Sequence, residues 1–176
     1  MRKLSHQELL QRQSDKRGPR LSVCVLLNHV RSLYNVGSIF RTADGAGIEK
    51  VWLAGITGIP PDSKISKTAL GAEQMVPWEY ARNAGEILAR LRAQNYQIVF
   101  LEQTTRSRPY QEFVPAPPLC LVVGNETAGV DEGLFQQGDL SLEIEMSGLK
   151  NSLNVAVAFG VVAYHCRRHL LINTPK

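Results

Sequence analysis

Two kinds of segment alternate along this chain of 176 residues. Short, largely apolar runs rich in β-branched residues are typical of strands buried on both faces of a sheet. Longer segments with apolar residues every third or fourth position predict amphipathic helices. The predicted strands are Leu21–Leu27, Lys50–Ala54, Tyr96–Leu101, Leu119–Val123 and Leu140–Met146.

Predicted helices separate most of these strands. They cover Leu4–Arg12, a segment that begins after Asn35 as its N-cap, Asn83–Ala93, a turn at Asp131–Gln136, and a last helix from about Ser152 to Leu170. The segments 55–67 and 106–118 are rich in Gly or Pro and are predicted to be loops. Alternating strands and helices predict an α/β fold with a largely parallel sheet covered on both faces.

The last predicted helix is apolar on all sides from Val155 to Ala163. Such a helix has to be buried on all sides, partly by a neighbouring subunit if not by its own sheet. A homodimer is therefore expected.

Composition indicates a cytoplasmic protein with no membrane partner. No apolar run reaches the roughly 18 residues that would cross a bilayer, and the N-terminus has no apolar core of a secretory signal. Cys24, Cys120 and Cys166 are far apart and have no metal-ligand spacing, which predicts reduced thiols and no metal site. The four histidines form no zinc pattern either.

The net charge of +4 resides in residues 1–20, which contain six Lys or Arg and two acidic residues. We expect this basic N-terminal extension to precede a single domain over residues 21–176. A basic arm favours contact with a polyanion such as RNA, and a solvated tail that aids solubility is an equal alternative.

Three polar stretches stand at the ends of predicted elements: residues 35–41, Gly124–Glu126 and Ser152–Asn154. Ends of strands and the loops after them carry the ligand sites of open α/β folds. Gly124 would let a ligand approach the backbone, and Ser152 and Asn154 would lie in the first turn of the last helix. Turn formation and helix capping are the ordinary alternatives for these residues.

Arg41 is the candidate for binding phosphate or carboxylate. Gly37 and Gly45 lie one helical turn before and after it, which suggests space for a bulky group. The alternative is an exposed arginine paired with Asp44. Motifs for dinucleotides, for Walker-type phosphate loops and for a serine nucleophile elbow are absent from the sequence.

Taken in order, the three stretches resemble the SpoU (TrmH-like) RNA 2′-O-ribose methyltransferases of the SPOUT superfamily. Asn35–Thr42 matches N-x-G-x-x-x-R-T, Leu121–Glu126 matches an apolar strand followed by Gly-Asn-Glu, and Ile144–Val155 contains Ile-x-Met and Ser-Leu-Asn-Val. Glu145 stands where the family usually has proline. The resemblance covers about residues 21–170.

The resemblance implies a parallel-sheet SPOUT fold with a C-terminal deep trefoil knot, an obligate homodimer and S-adenosyl-L-methionine as cofactor. It implies transfer of a methyl group to a ribose 2′-hydroxyl of tRNA or rRNA. The implied cofactor-binding residues are Leu101, Glu102, Gly124, Ile144, Met146 and Leu153. Two alternatives are an RNA-binding or assembly protein of the same fold without catalysis, and a SPOUT methyltransferase that acts on a base nitrogen.

The implied catalytic residues are Arg41, Asn35, Glu126, Ser152 and Asn154. The expected RNA-binding residues are Arg2, Lys3, Arg12, Lys16, Arg17, Arg31 and Arg41. The family's usual proposal makes the arginine a base, but a guanidinium pKa exceeds about 12. We therefore expect Arg41 to bind phosphate and stabilise the developing alkoxide, or to act as a base only when desolvated beside a phosphate.

Overall fold

A computed structural model describes residues 1–14 and 18–172, apart from the side chain of Gln13. The described strands are β1 Leu21–Asn28, β2 Ile48–Ala54, β3 Trp78–Ala81, β4 Gln97–Leu101, β5 Arg108–Pro109, β6 Leu119–Val123 and β7 Leu140–Glu143. The described helices are α1 His6–Ser14, α2 Leu33–Ala46, α3 Ser63–Ala69, α4 Ala72–Met75, α5 Ala84–Ala93 and α6 Val155–Ile172. Short 3₁₀ helices cover Tyr110–Glu112 and Glu132–Gln137.

The seven strands form one sheet in the order β3-β2-β1-β6-β4-β7-β5, and every pair of neighbours is parallel. The predicted parallel α/β architecture is confirmed. Because all strands run the same way, the ends of β1, β4, β6 and β7 meet at one edge. Some strands that are neighbours in the sheet, such as β1 and β6, are distant in sequence. Their carboxyl ends therefore bring distant segments of the chain together.

The two faces of the sheet carry separate hydrophobic clusters. On one face, Phe40 of α2 and Phe159 of α6 are fully buried against β1 and β6. On the other face, Ile87 and Leu88 of α5 pack against β1 and β4. Burial on both sides explains why the central strands read as continuous apolar runs.

Helix α2 begins three residues earlier than predicted. Ser32, not Asn35, is its N-cap, and the Ser32 side chain accepts a hydrogen bond from the amide of Asn35. This leaves the Asn35 side chain free to bond elsewhere. Gly47 ends the helix in the left-handed region with φ 74°, where glycine carries no steric penalty.

Gly37 and Gly45 do not keep space for a substrate. A Cβ on Gly37 would lie 2.2 Å from the carbonyl oxygen of Ile65 and from Oγ1 of Thr68, so Gly37 permits the close approach of α2 and α3. A Cβ on Gly45 would lie 2.8 Å from the hydroxyl of Tyr164 on α6. The prediction of a cavity beside Arg41 is therefore wrong, because the protein's own helices occupy it.

The predicted loop 55–67 contains the start of α3, whose N-cap Asp62 accepts bonds from the amides of Lys64 and Ile65. Strand β7 ends earlier and helix α6 begins later than predicted, so the connection between them covers residues 144–154. Ser152 and Asn154 lie in this connection, before the first turn of α6.

Helix α6 is buried on one side only within the described chain. Ala156, Phe159 and Val162 face the core, whereas Val157 and Tyr164, seven residues apart, are each 52% exposed. By length and composition alone α6 could cross a membrane, a test that core helices also pass. The single subunit leaves the exposed stripe on α6 (Val157, Tyr164 and Leu171) uncovered. Burial of α6 on all sides, which was predicted to need a neighbouring subunit, stays a prediction.

We predict that Gly37→Ala lowers the free energy of unfolding by about 1–3 kcal/mol, since the added methyl forces α2 and α3 apart. Gly45→Ala is the matched control, because its methyl meets only the flexible end of Tyr164 and alanine favours a helix by roughly 1 kcal/mol. Urea denaturation of both variants measures the difference. Equal stability of the two would contradict the packing role of Gly37.

Candidate active site

A cleft of about 530 Å³ opens at the carboxyl edge of β4, β6 and β7. Its lining residues come from four segments, 101–103, 123–129, 142–144 and 151–155, together with Ala158 of α6. Each of the first three segments continues a buried strand. Rigid strands therefore hold three walls of the cleft, and the connection 144–154 closes the fourth.

The loop after β6 is fixed by hydrogen bonds of its own. Asn125 and Gly129 exchange both backbone bonds at 2.9 Å, and Oδ1 of Asn125 accepts from the amides of Thr127 and Ala128. Nδ2 of Asn125 donates to the carbonyl oxygen of His29, 2.9 Å away, which ties the loop to the end of β1. The side chain of Asn125 thus shapes this loop, a role that a favourable turn residue in the sequence does not reveal.

Glu102 supports the same loop from the end of β4. Its Oε2 accepts from the amide of Val130 and its Oε1 from the amide of Gln103. Gly129, with φ 73°, has no room for a Cβ because Oε2 of Glu102 would lie 2.4 Å away. Glu102 therefore lines the cleft with both oxygens engaged by backbone amides.

Gly124 is required by the protein's own loop. A Cβ on this residue would lie 2.2 Å from the carbonyl carbon of Gly129 and 2.3 Å from the nitrogen of Val130. The loop folds back over Gly124, so a larger side chain would distort the loop before it met a ligand. The expectation that Gly124 simply leaves space for a ligand is wrong in this respect, although Gly124 does line the cleft.

Glu126 binds the start of α2. Its carboxylate accepts hydrogen bonds from the amide of Arg31 at 3.0 Å, from the amide of Ser32 at 2.9 Å and from Nδ2 of Asn35 at 2.9 Å. Arg31 precedes α2, Ser32 is its N-cap, and Asn35 lies in its first turn. Glu126 therefore fixes the segment that orients Asn35.

Asn35 in turn binds the start of α6. Its Oδ1 accepts from Nδ2 of Asn154 at 3.0 Å, and Oδ1 of Asn154 accepts from the amides of Ala156 and Val157. Asn154 is thus the N-cap of α6. Glu126, Asn35 and Asn154 form one hydrogen-bonded chain, the amide–carboxylate chain, which joins all three polar stretches of the sequence.

The amide–carboxylate chain also sets the ionisation of Glu126. Burial alone would raise the pKa of its carboxyl, but the hydrogen bonds from Asn35, Ser32 and Arg31 outweigh burial and hold that pKa below its ordinary value. Glu126 is therefore a carboxylate at neutral pH. A general base works best with a pKa near the working pH, so Glu126 is suited to holding its neighbours rather than to taking a proton.

Ser152 and Arg41 stand outside the amide–carboxylate chain. Ser152 lines the cleft and is exposed, with its Oγ 3.5 Å from Oδ1 of Asn151. Arg41 is exposed on α2 and does not line the cleft of its own chain. The pair with Asp44 is not formed, because Asp44 binds Arg20 at 3.1 Å.

Five of the six predicted cofactor residues line the same cleft. They are Leu101, Glu102, Gly124, Ile144 and Leu153. Met146 lies instead in an adjoining cleft of about 360 Å³, which is lined by residues 143–146 and 148–151 and by Gln103. The sequence missed Glu143, which ends β7 and lines both clefts, because a single acidic residue at a strand end carries no motif.

The predicted RNA-binding residues are dispersed. Arg2 pairs with Glu8 through two hydrogen bonds of 2.6 and 2.9 Å, whereas Lys3, Arg12 and Arg31 are exposed. Lys16 and Arg17 lie outside the described residues. Arg20, the remaining basic residue of the extension, is held against the domain by the carbonyl oxygens of Ile48 and Met75 and by Asp44.

Comparison with known proteins identifies the family of this chain. The model of the SpoU rRNA Methylase family matches residues 22–164, which contain all three polar stretches. The chain belongs to this family. The resemblance drawn from the motifs is confirmed.

Two relatives show how much of the family's proteins the chain represents. The 23S rRNA (guanosine(2553)-2′-O)-methyltransferase RlmP of Bacillus subtilis is 35% identical over 143 residues, 81% of this chain and 57% of the relative. The tRNA (guanosine(18)-2′-O)-methyltransferase of Escherichia coli is 29% identical over 87% of this chain and 65% of its own length. The chain therefore spans less than two thirds of each.

Solved structures share the fold. The A. aeolicus TrmH/SpoU tRNA modifying enzyme superposes with a TM-score of 0.82 at 26% identity, over 94% of this chain and 84% of that one. The SpoU methyltransferase AviRb from Streptomyces viridochromogenes, in complex with the cofactor AdoMet, gives 0.80 at 26% identity, over 89% and 63% of the two chains.

We predict that Glu126→Gln costs about 1 kcal/mol of unfolding free energy at neutral pH, because an amide cannot accept all three hydrogen bonds. The bonds hold the pKa of Glu126 below its usual value of about 4.3, so the deficit is present above about pH 4.3. It shrinks as the pH falls through the lowered pKa and the wild-type carboxyl is protonated.

Urea denaturation at about pH 7 and about pH 3 measures this difference. Glu132→Gln, which changes an exposed acid after the same loop, is the matched control and should show no such pH dependence. A deficit of the same size at both pH values would contradict the assignment.

Proposed function

We propose that this protein is an S-adenosylmethionine-dependent RNA methyltransferase that modifies a ribose 2′-hydroxyl of tRNA or rRNA. The observation that carries the proposal is the amide–carboxylate chain at the mouth of the cleft. It gathers amide and carboxylate groups from three distant segments beside a cavity of ligand size. Relatives named as 2′-O-methyltransferases of rRNA and tRNA support the same reaction.

The cleft fits the cofactor in size and in chemistry. Leu101, Ile144 and Leu153 provide apolar surface suited to a purine, and the exposed ends of strands provide backbone polar groups. These residues, with the backbone of Gly124 and the loop held by Glu102, would hold the cofactor. When bound, S-adenosylmethionine supplies an electrophilic methyl group.

The chain's own residues would align the nucleophile. A ribose hydroxyl is a poor nucleophile at neutral pH, so positioning and stabilisation of the developing charge dominate catalysis. Asn35 and Asn154 are fixed by Glu126 and by the cap of α6, so their amide groups are ordered before substrate arrives. Ser152, exposed at the cleft, is available to a ribose oxygen.

We assign Arg41 to the cleft of a second subunit. Its guanidinium is exposed on α2, and no described group hydrogen-bonds to it. Gly45, one turn further along α2, packs beside Tyr164, which belongs to the exposed stripe on α6. A homodimer formed across this stripe would cover its apolar residues and bring Arg41 to the partner's cleft, where it binds a substrate phosphate.

Three further properties belong to the same proposal. We infer that the connection after β7 passes through the loops around β4 and β6 as a trefoil knot, supported by the likeness to SpoU structures. Residues 1–20 form a basic extension to a domain over residues 21–176. The protein acts in the cytoplasm, where tRNA and ribosomes are found.

Incubation of the purified protein with S-adenosylmethionine and unmodified total RNA, followed by nucleoside mass spectrometry, tests the proposed reaction. A 2′-O-methylated nucleoside is expected. A methylated base with an unmodified ribose, or cofactor binding with no methylation of any RNA, would contradict it.

Arg41→Ala should lower methyl transfer by at least about 10² with little change in cofactor affinity, because stabilisation of transition-state charge contributes on this scale. Arg41→Lys is the control that keeps charge without the planar fork and should recover little. Methyl transfer assays and calorimetry measure the two effects.

Mixed dimers test whether Arg41 acts on the partner's cleft. We choose Asn154→Asp as the second variant, since aspartate still caps α6 but cannot donate to Asn35. A dimer of one Arg41→Ala subunit and one Asn154→Asp subunit keeps one intact cleft if Arg41 crosses the interface, so about half of the wild-type activity is expected. If Arg41 serves its own cleft, both clefts are defective and the mixed dimer is inactive.

Removal of residues 1–17 should weaken RNA binding and flatten its dependence on salt, since fewer phosphate contacts release fewer counterions. Cofactor affinity should not change. Filter binding at several salt concentrations measures the slope. An unchanged slope would show that the extension is a solvated tail.

A further inference from the structure

Three carboxylates line the cleft: Glu102, Glu126 and Glu143. The oxygens of Glu102 accept from the amides of Val130 and Gln103. Those of Glu126 accept from two amides and from Asn35. These two acids are therefore committed to holding the protein's own loops.

Glu143 is different. Its Oε2 accepts a short hydrogen bond from Oγ of Ser107, and within the described chain no donor reaches its Oε1. No Lys, Arg or His among the described residues forms an ion pair with it. The Glu143 carboxylate is half-buried and fixed by one hydroxyl, and its Oε1 has no donor among the described residues. This oxygen is available to accept a hydrogen bond from a ligand.

We propose that Glu143 binds the ribose hydroxyls of the nucleoside that occupies the cleft. This inference rests on the proposed function, since it names a further residue of the same cofactor site. Glu143 ends a parallel strand, the position from which an acidic residue binds a nucleoside ribose in other open α/β sheets.

The surroundings of Glu143 favour a neutral diol over the ammonium group of the amino-acid tail. Leu142 and Ile144 flank Glu143 and line the same wall, which suits the purine to which the ribose is attached. Glu126 lies after β6 and Glu143 ends β7, with β4 between them, so about 10 Å separates the two strands. Glu143 therefore lies away from the corner where Asn35 and Asn154 meet.

The test measures binding by calorimetry of S-adenosylhomocysteine and its 2′-deoxy and 3′-deoxy analogues. Wild-type protein should bind at least one deoxy analogue about 10-fold or more weakly, as expected when a hydrogen bond to a charged group is lost. Glu143→Ala should bind the parent ligand about 10-fold or more weakly and should no longer distinguish it from the deoxy analogues. Glu132→Gln, a change in an exposed acid that lines neither cleft, is the matched control and should behave as wild type.

Two results would overturn the inference while leaving the proposed function intact. In one, Glu143→Ala binds S-adenosylhomocysteine normally or still discriminates against any deoxy analogue that the wild type binds more weakly. In the other, Glu143→Ala loses discrimination between S-adenosylhomocysteine and 5′-methylthioadenosine, which lacks the amino-acid tail, so that the carboxylate binds the ammonium group. If wild-type protein binds none of these ligands, the inference and the proposed function both fail. Circular dichroism of Glu143→Ala confirms that the variant is folded.

Discussion

The hydrogen bond between Asn35 and Asn154 spans 119 residues of sequence, and the candidate site depends on it. On one side, Asn35 is held by Glu126, which also binds two amides before α2. On the other, Asn154 caps α6 and so fixes where the longest helix begins. The amide–carboxylate chain therefore links a loop after β6, the start of α2 and the start of α6. If it were broken, each segment would retain its local bonds but the three would lose their common geometry.

Much of the fold follows from local sequence. The run Leu119–Val123 is apolar throughout and has the predicted bounds, because β6 is buried on both faces between β1 and β4. The predicted starts of α2 and α6 were wrong for the same reason. Asn35 and Ser152 looked like helix starts by their residue type. The caps are instead Ser32 and Asn154, whose side chains accept from the first amides of α2 and α6.

The glycines show why the site was harder to predict than the strands. Gly37 and Gly124 were interpreted as space for a ligand, but each is required where the protein's own backbone approaches within 2.2 Å of a Cβ position. A glycine in a sequence shows that no side chain is present at that position, but it does not show whether a ligand or the protein itself occupies the space. For the same reason Glu102 and Glu143 look equivalent in the sequence. Their hydrogen bonds distinguish them: Glu102 supports the loop after β6, whereas Glu143 has one oxygen with no donor among the described residues.

Coupling between Glu126 and Asn154 tests most directly whether the three segments act as one unit. Among the described residues, hydrogen bonds join the two side chains only through Asn35. A double-mutant cycle of Glu126→Ala and Asn154→Ala should therefore give an interaction free energy of about 0.5 kcal/mol or more. Repeated in an Asn35→Ala background, the same cycle should give an interaction free energy near zero. Additive effects in the wild-type background, or coupling that survives without Asn35, would contradict the account.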